Sequence, residues 1–189
     1  MKIYFNNQMH QLDKHLEVLK NKKVMRYDKN QLVEKTSSIY IQTSKTFEEL
    51  DFRFFFNYQV FPSHILVAKT QWQAENRDIK VGDTIVQQAF LPPLKWLSQK
   101  VIFGVRVSEV INEKHLKCFS YETIEGHVEK GISSFSITAD NSAIKFSIHT
   151  FSEPGNLLTK LLGPIFTLPY QAYCTRQALK QVKQQLELQ

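Results

Sequence analysis

Between residues 119 and 131 the chain carries its densest run of groups able to do chemistry: Phe119-Ser120-Tyr121-Glu122-Thr123-Ile124-Glu125-Gly126-His127-Val128-Glu129-Lys130-Gly131. Side chains alternate between faces in an extended chain, so Glu125, His127 and Glu129 would share one face there. An imidazole beside carboxylates suits acid–base work, with His127 as general base and Glu125 or Glu129 setting its tautomer. The same residue types ligate metals, but a metal site needs further ligands, and neither His115 nor His149 has a spacing that brings it near. No metal is therefore expected. Gly126 marks a turn inside the run, which weighs against a single coplanar face and favours a hairpin whose histidine caps backbone groups.

Arg106 is the second residue of interest, standing between Val105 and Val107. A guanidinium on a sheet face can meet the carboxylate or phosphate of a ligand, or pair with an acid such as Glu122. No Gly-x-Ser-x-Gly nucleophile motif occurs, and a total of six glycines leaves little room for a phosphate-cradling loop. No cofactor is expected. Cys118 and Cys174 are too far apart in sequence for a zinc or redox pair and read as buried thiols.

The elements that must position these groups follow from periodicity. Lys2 to Phe5 reads as a short strand, and Met9 to Lys20 as a helix with Leu12, Leu16 and Leu19 on one stripe. Asn21 to Lys35 is polar and loop-rich; Ser38 to Thr43 offers Ile39 and Ile41 to one strand face. Thr46 and Glu49 have the spacing of a capping box. Phe52 to Phe61 is too aromatic to assign. From His64 the period becomes two: His64–Trp72, Asp83–Leu91, Val101–Ile111, His115–Ile124, Gly131–Thr138 and Ala143–Phe151 read as strands. Pro92-Pro93 ends the second of these. The turns at Asn112-Glu113, Glu125-Gly126 and Asp140-Asn141 are short, which demands an antiparallel meander.

The last segment is a helix. Leu161, Ile165, Leu168, Ala172, Thr175, Leu179, Val182 and Leu186 form an inward stripe, with breaks at Gly163-Pro164 and Pro169. Its uninterrupted part, Tyr170 to Leu188, would extend about 28 Å and cross the whole sheet. An α+β fold follows, a curved antiparallel sheet of about six to seven strands around a long C-terminal helix, in a single domain of residues 1–189 with residues 1–35 as an N-terminal extension.

Composition sets the outer limits. The formal charge is +6, from 24 basic and 18 acidic residues. Much of the excess precedes the main strands, but Asp13, Glu17, Asp28 and Glu34 interrupt it, as on a solvated surface. No zinc-finger, homeodomain or RNA-recognition signature accompanies the charge, so nucleic acid is not an expected partner. Signal-peptide character is absent from the start and no stretch is long and apolar enough to span a bilayer, which makes the cytoplasm the expected compartment. Fourteen Phe, seven Tyr and two Trp fit a thick aromatic core or an aromatic-lined ligand site.

The 119–131 run resembles the aromatic-Tyr-x-Thr-Leu-x-Gly-His-x-Glu-x-Gly signature of the domain-of-unknown-function family nineteen-ninety. Phe151-Ser152-Glu153-Pro154, Gly163-Pro164 and Gln171-x-Tyr173 are similar to its later landmarks, and Arg77 with Val81-Gly82-Asp83 to its early ones. Many members carry glycine where Glu122 stands and acidic residues where Ile132 and Ser133 stand. The resemblance implies a START-like, helix-grip fold, in which the sheet grips the terminal helix around an apolar cavity. Non-covalent binding of a small apolar or amphipathic molecule is then the leading expectation. Tyr121, His127, Glu129, Arg106 and Tyr173 would orient it, and Phe103, Phe135, Phe146 and Leu179 would line the cavity. Two alternatives stand beside it: a cyclase- or hydrolase-like enzyme using His127 with Glu125 or Glu129, and a partner- or membrane-surface-binding protein using the basic N-terminal segment.

Overall fold

Alternating side chains from residue 64 onward build most of one large sheet. The computed structural model describes residues 2–91, 98–140, 143–154 and 168–189. Its strands are β1 (Lys2–Tyr4), β2 (Val33–Ile41), β3 (Leu66–Thr70), β4 (Thr84–Leu91), β5 (Gln99–Asn112), β6 (Leu116–Thr123), β7 (Glu129–Asp140) and β8 (Ala143–Pro154). Its helices are α1 (Leu12–Lys20), α2 (Arg53–Phe56), α3 (Gln71–Ala74) and α4 (Leu168–Glu187). All the strand pairs are antiparallel, in the order β2-β8-β7-β6-β5-β4-β3. Where β6 no longer reaches, β1 takes its place beside the first part of β5, pairing Lys2 with Ile102. Among the described residues this gives eight strands, against the six to seven expected.

The concave face grips α4. Ala178, Val182 and Leu186 of that helix are buried in one cluster with Phe119, Phe135, Phe146 and Ile148. Residues 47–61 add Phe55, Tyr58 and Val60 from inside the grip. Phe119 and Phe135 stack with centroids 5.0 Å apart, and Phe55 meets Phe119 at 4.8 Å. Each such fully buried side chain contributes roughly 1.5–3 kcal/mol. Ala172, expected to point inward, is exposed, and Ala178 is buried in the stripe with Val182 and Leu186. Leu161, Ile165 and Gly163-Pro164 lie outside the described residues, as do Pro92-Pro93 and Asn141.

The convex face is covered as well. Leu12 and Leu16 of α1 pack on Val86 and Ile102, joined by Leu19, Tyr4 and Val67. Strand β4 is consequently buried on both faces from Thr84 to Phe90. Gly104 lets the helix come close, since a Cβ there would lie 2.8 Å from Ile124 and 3.0 Å from Leu19.

Several boundaries differ from the sequence expectation. Strand β2 begins at Val33, ahead of Ser38, because its polar first half still hydrogen-bonds β8 at the sheet edge. Trp72 belongs to α3, not to the strand before it: Thr70 caps that helix, its hydroxyl accepting from Gln73 N–H. The Thr46–Glu49 capping box forms as the spacing requires.

Candidate functional site

Side-chain size changes sharply along the concave face. On β7 the inward residues run Ile137, Phe135, Ser133, Gly131, Glu129; on β8 they run Phe146, Ile148, Thr150, Ser152. The register matches large with large and small with small: Phe135 faces Ile148, Ser133 faces Thr150, and Gly131 faces Ser152. Half of this face is a packed aromatic core. The other half presents short polar side chains, with Ser133, Thr150 and Ser152 all partly accessible.

Tyr121, His127, Glu129 and Phe103 border that second half. Tyr121 sits opposite Ser133 on β6, its ring 5.5 Å from Phe135 and 6.0 Å from Tyr58. Burial raises its pKa, opposed by hydrogen bonding to Tyr58, Ser133 and Gln87. Gln87, buried on β4, donates from Nε2 to the Tyr58 hydroxyl at 2.7 Å. Tyr58 reaches this position from a left-handed backbone at φ 60°, which is uncommon for a bulky residue.

The turn at Gly126 aims His127 inward. Gly126 has φ 91°, and the His127 N–H donates to Ile124 O at 3.0 Å. His127 Nδ1 then lies 2.9 Å from the Glu129 carbonyl oxygen and 3.0 Å from the Glu129 backbone nitrogen, so the backbone of Glu129 fixes the ring in whichever tautomer it takes. The His127 ring packs edge-on to Phe103 at 4.6 Å. Removal from water pushes its pKa down to about 4. Removal from water pushes Glu129 the opposite way, up to about 7, with Lys35 opposing. Among the described residues, no ion pair or hydrogen bond reaches the Glu129 carboxylate. Gly131 completes the segment: its φ is 147°, and a Cβ there would lie 1.9 Å from the Phe151 carbonyl oxygen. The two glycines and Thr123, whose Oγ1 accepts from Gly131 N–H at 3.0 Å, shape the strand entry that presents His127 and Glu129.

The remaining expected site residues lie elsewhere. Glu125 is exposed and borders a cleft on the convex side, beside Lys2, His15 and Lys22, so it does not share a face with His127. Gly126 reverses the chain between them. Arg106 also points to the convex side, where its guanidinium donates to the carbonyls of Lys20, Lys22 and Gly82 at 2.9, 3.0 and 3.1 Å. It holds the end of α1 and does not join the His127 group, and its cross-strand neighbour Glu122 accepts instead from Tyr27. Phe135, Phe146 and Leu179 lie in or against the packed core, not along the open half. Tyr173 is half-buried on α4. Its neighbour Tyr170 donates to Phe90 O at 2.9 Å, a contact the sequence did not signal. Tyr58 and Gln87 carry no such signal either, one lying in an aromatic run without a clear period and the other inside a strand. Burial raises both Cys118 and Cys174 thiols to about 11. Among the described residues no group of His, Cys, Asp or Glu is arranged to hold a metal ion.

The model of a domain of unknown function, DUF1990, matches residues 44–181. The chain belongs to the DUF1990 family. The match includes Tyr121, His127 and Glu129 and leaves out α1 and β2. No curated protein matches the sequence significantly. Among solved structures, a hypothetical protein from Helicobacter pylori, jhp0584, is similar at TM-score 0.56 and 10% identity, over 88% of this chain and 95% of that one. The KanY protein is similar at TM-score 0.52 and 9% identity, over 82% and 98%. Major latex-like protein 151 from Panax ginseng is similar at TM-score 0.51 and 12% identity, over 82% and 97%. Likeness at this level of identity carries the fold, a helix-grip α+β domain, and nothing more specific. The Gly-His-x-Glu-x-Gly run at residues 126–131 lies within the matched segment and forms the turn and strand entry described above.

Proposed function

We propose that the protein binds a small apolar or amphipathic molecule on the open half of the concave face, between the sheet and α4. Tyr121, His127 and Glu129 orient its polar end, and Phe103 contributes an apolar wall. One observation carries this reading: inward side chains fall from Phe135, Ile137 and Ile148 to Ser133, Gly131, Thr150 and Ser152 within the same strands. A face built for packing alone would continue with large residues, since voids cost stability. A few polar groups beside aromatic walls are the usual make-up of a small-molecule site.

The test is native mass spectrometry on protein purified from its own host, alongside a Thr150→Phe variant that fills the open half. A co-purifying small molecule is expected with the wild type and is lost in the variant while the fold, followed by circular dichroism, persists. An empty wild-type protein, or equal retention by both, would remove the basis for the reading.

The opposed pKa displacements of His127 and Glu129 favour a second reading, acid–base catalysis on a bound ester or polyketide-like molecule. Near neutral pH His127 is an uncharged base, and Glu129 keeps its proton to higher pH than an ordinary glutamate. The His127→Ala variant separates the readings: turnover lost at unchanged affinity marks an enzyme, and weakened affinity without any turnover marks a carrier.

A further inference from the structure

We propose that the bound molecule carries a positively charged amine or quaternary-ammonium head on an apolar body, with the Glu129 carboxylate as counter-ion and the rings of Tyr121 and Phe103 beside it. This rests on the binding reading above and narrows it to a class of ligand. Glu129 points into the concave face from the first residue of β7, partly buried. A carboxylate in that position ordinarily has a cationic partner, because an unpaired buried charge is costly. Among the described residues, two of the nearby cations are engaged elsewhere. Lys130 pairs with Glu153 at 2.7 Å, and Arg106 is spent on the carbonyls at the end of α1. Lys35 lies on the same concave face, opposite Thr150 on the edge strand β2; it is exposed and makes no ion pair with Glu129, although its charge is felt there.

The other titratable groups on this side are His127 beside Glu129, Tyr121 on β6, Tyr58 inside the grip, and Tyr170, Tyr173 and Cys174 on α4. None supplies a positive charge near neutral pH: the phenols and the thiol are neutral or negative, and burial keeps His127 uncharged. An anionic head beside Glu129 would therefore meet a carboxylate, and among the described residues only Lys35, out on the exposed edge strand, could offset it. A cationic head would meet a carboxylate, and aromatic faces attract such a charge as well. Its arrival would drive Glu129 to ionise, so binding near pH 7 is coupled to proton release.

Decylamine, decan-1-ol and decanoate share an apolar body and differ in head charge, which makes them suitable probes for titration calorimetry at about pH 8, below their aggregation limits. Decylammonium is expected to bind about tenfold more tightly than decanol, with decanoate weakest. Glu129→Gln is expected to erase the preference for the amine over decanol. Proton release appears as an amine-binding heat that depends on the buffer's ionisation enthalpy when the titration is repeated near pH 7. The inference is overturned if decanoate matches the amine, or if the preference survives in Glu129→Gln. Equal binding of all the probes would overturn the charge assignment and leave the carrier reading standing. Failure of every probe to bind would overturn both. Because the substitution removes an unpaired, partly buried acid, a folded variant is expected, and its melting curve checks that.

Discussion

His127 and Glu129 lie two residues apart, and one cause, loss of water, displaces their pKa values in opposite directions. Glu129 rises from an ordinary 4.5 to about 7, so the folded state holds this proton more tightly than the unfolded chain does. Its burial carries no penalty below about pH 4.5, and stability is lost as pH rises from there to about 7. His127 falls from 6.5 to about 4, so its neutral form is favoured by folding. That stability is present above pH 6.5 and is lost as pH falls towards about 4. The Glu129→Gln variant isolates the first effect. Its melting temperature relative to wild type is expected to climb between about pH 4.5 and 7 and to level off above, as read from thermal melts across that range. A difference independent of pH would show that Glu129 is not buried as described. Both residues were legible in the sequence through the Gly-His-x-Glu-x-Gly pattern. The exclusion of Glu125 was not, because it depends on how far the Gly126 turn rotates the chain.

At the level of elements, Arg106 shows what alternation can and cannot say. The period of two places it on the face opposite Val105 and Val107, and that is where it lies. Alternation does not say what covers that face. Here α1 does, and the guanidinium satisfies carbonyls at and just beyond its C-terminus that would otherwise lack donors. Arg106→Met is expected to cost about 1–3 kcal/mol in urea unfolding and to speed amide exchange in α1, with ligand affinity unchanged. Lost affinity at full stability would return Arg106 to a ligand role. The convex position of α1 also explains β4, whose residues are buried on both faces although its sequence does not alternate cleanly.

Across the whole molecule, the N-terminal segment is best understood as a cover. Leu12 and Leu16 close the convex surface over Val86 and Ile102, and the bridge between Val24 and Ile124 continues the attachment past the end of α1. The family match begins at residue 44, so this cover lies outside it. Its charges are partly engaged: Lys20 pairs with Glu17 at 2.8 Å, and Lys29 sits 4.3 Å from the Phe151 ring centroid. Deleting the segment would expose the convex apolar surface and so could not separate a partner-binding role from a structural one. A single substitution does. Leu16→Ala is expected to cost about 2–4 kcal/mol in denaturant unfolding and to leave binding on the concave face intact. A cost near zero would mean that α1 is not part of the folding unit. Among the described residues no helix is long and apolar enough to cross a membrane.

From the sequence alone came the α+β class, the antiparallel meander, the terminal helix and the chemical signature at residues 119–131, since each is written in local periodicity or short-range spacing. Tertiary structure alone decided which aromatic residues fill the grip and which border open surface. Phe135 and Phe103 are both inward residues on strands, yet one stacks on Phe119 while the other meets only part of its surroundings. That difference depends on how residues 47–61 and α4 enter the concavity, a long-range packing outcome that no periodicity encodes.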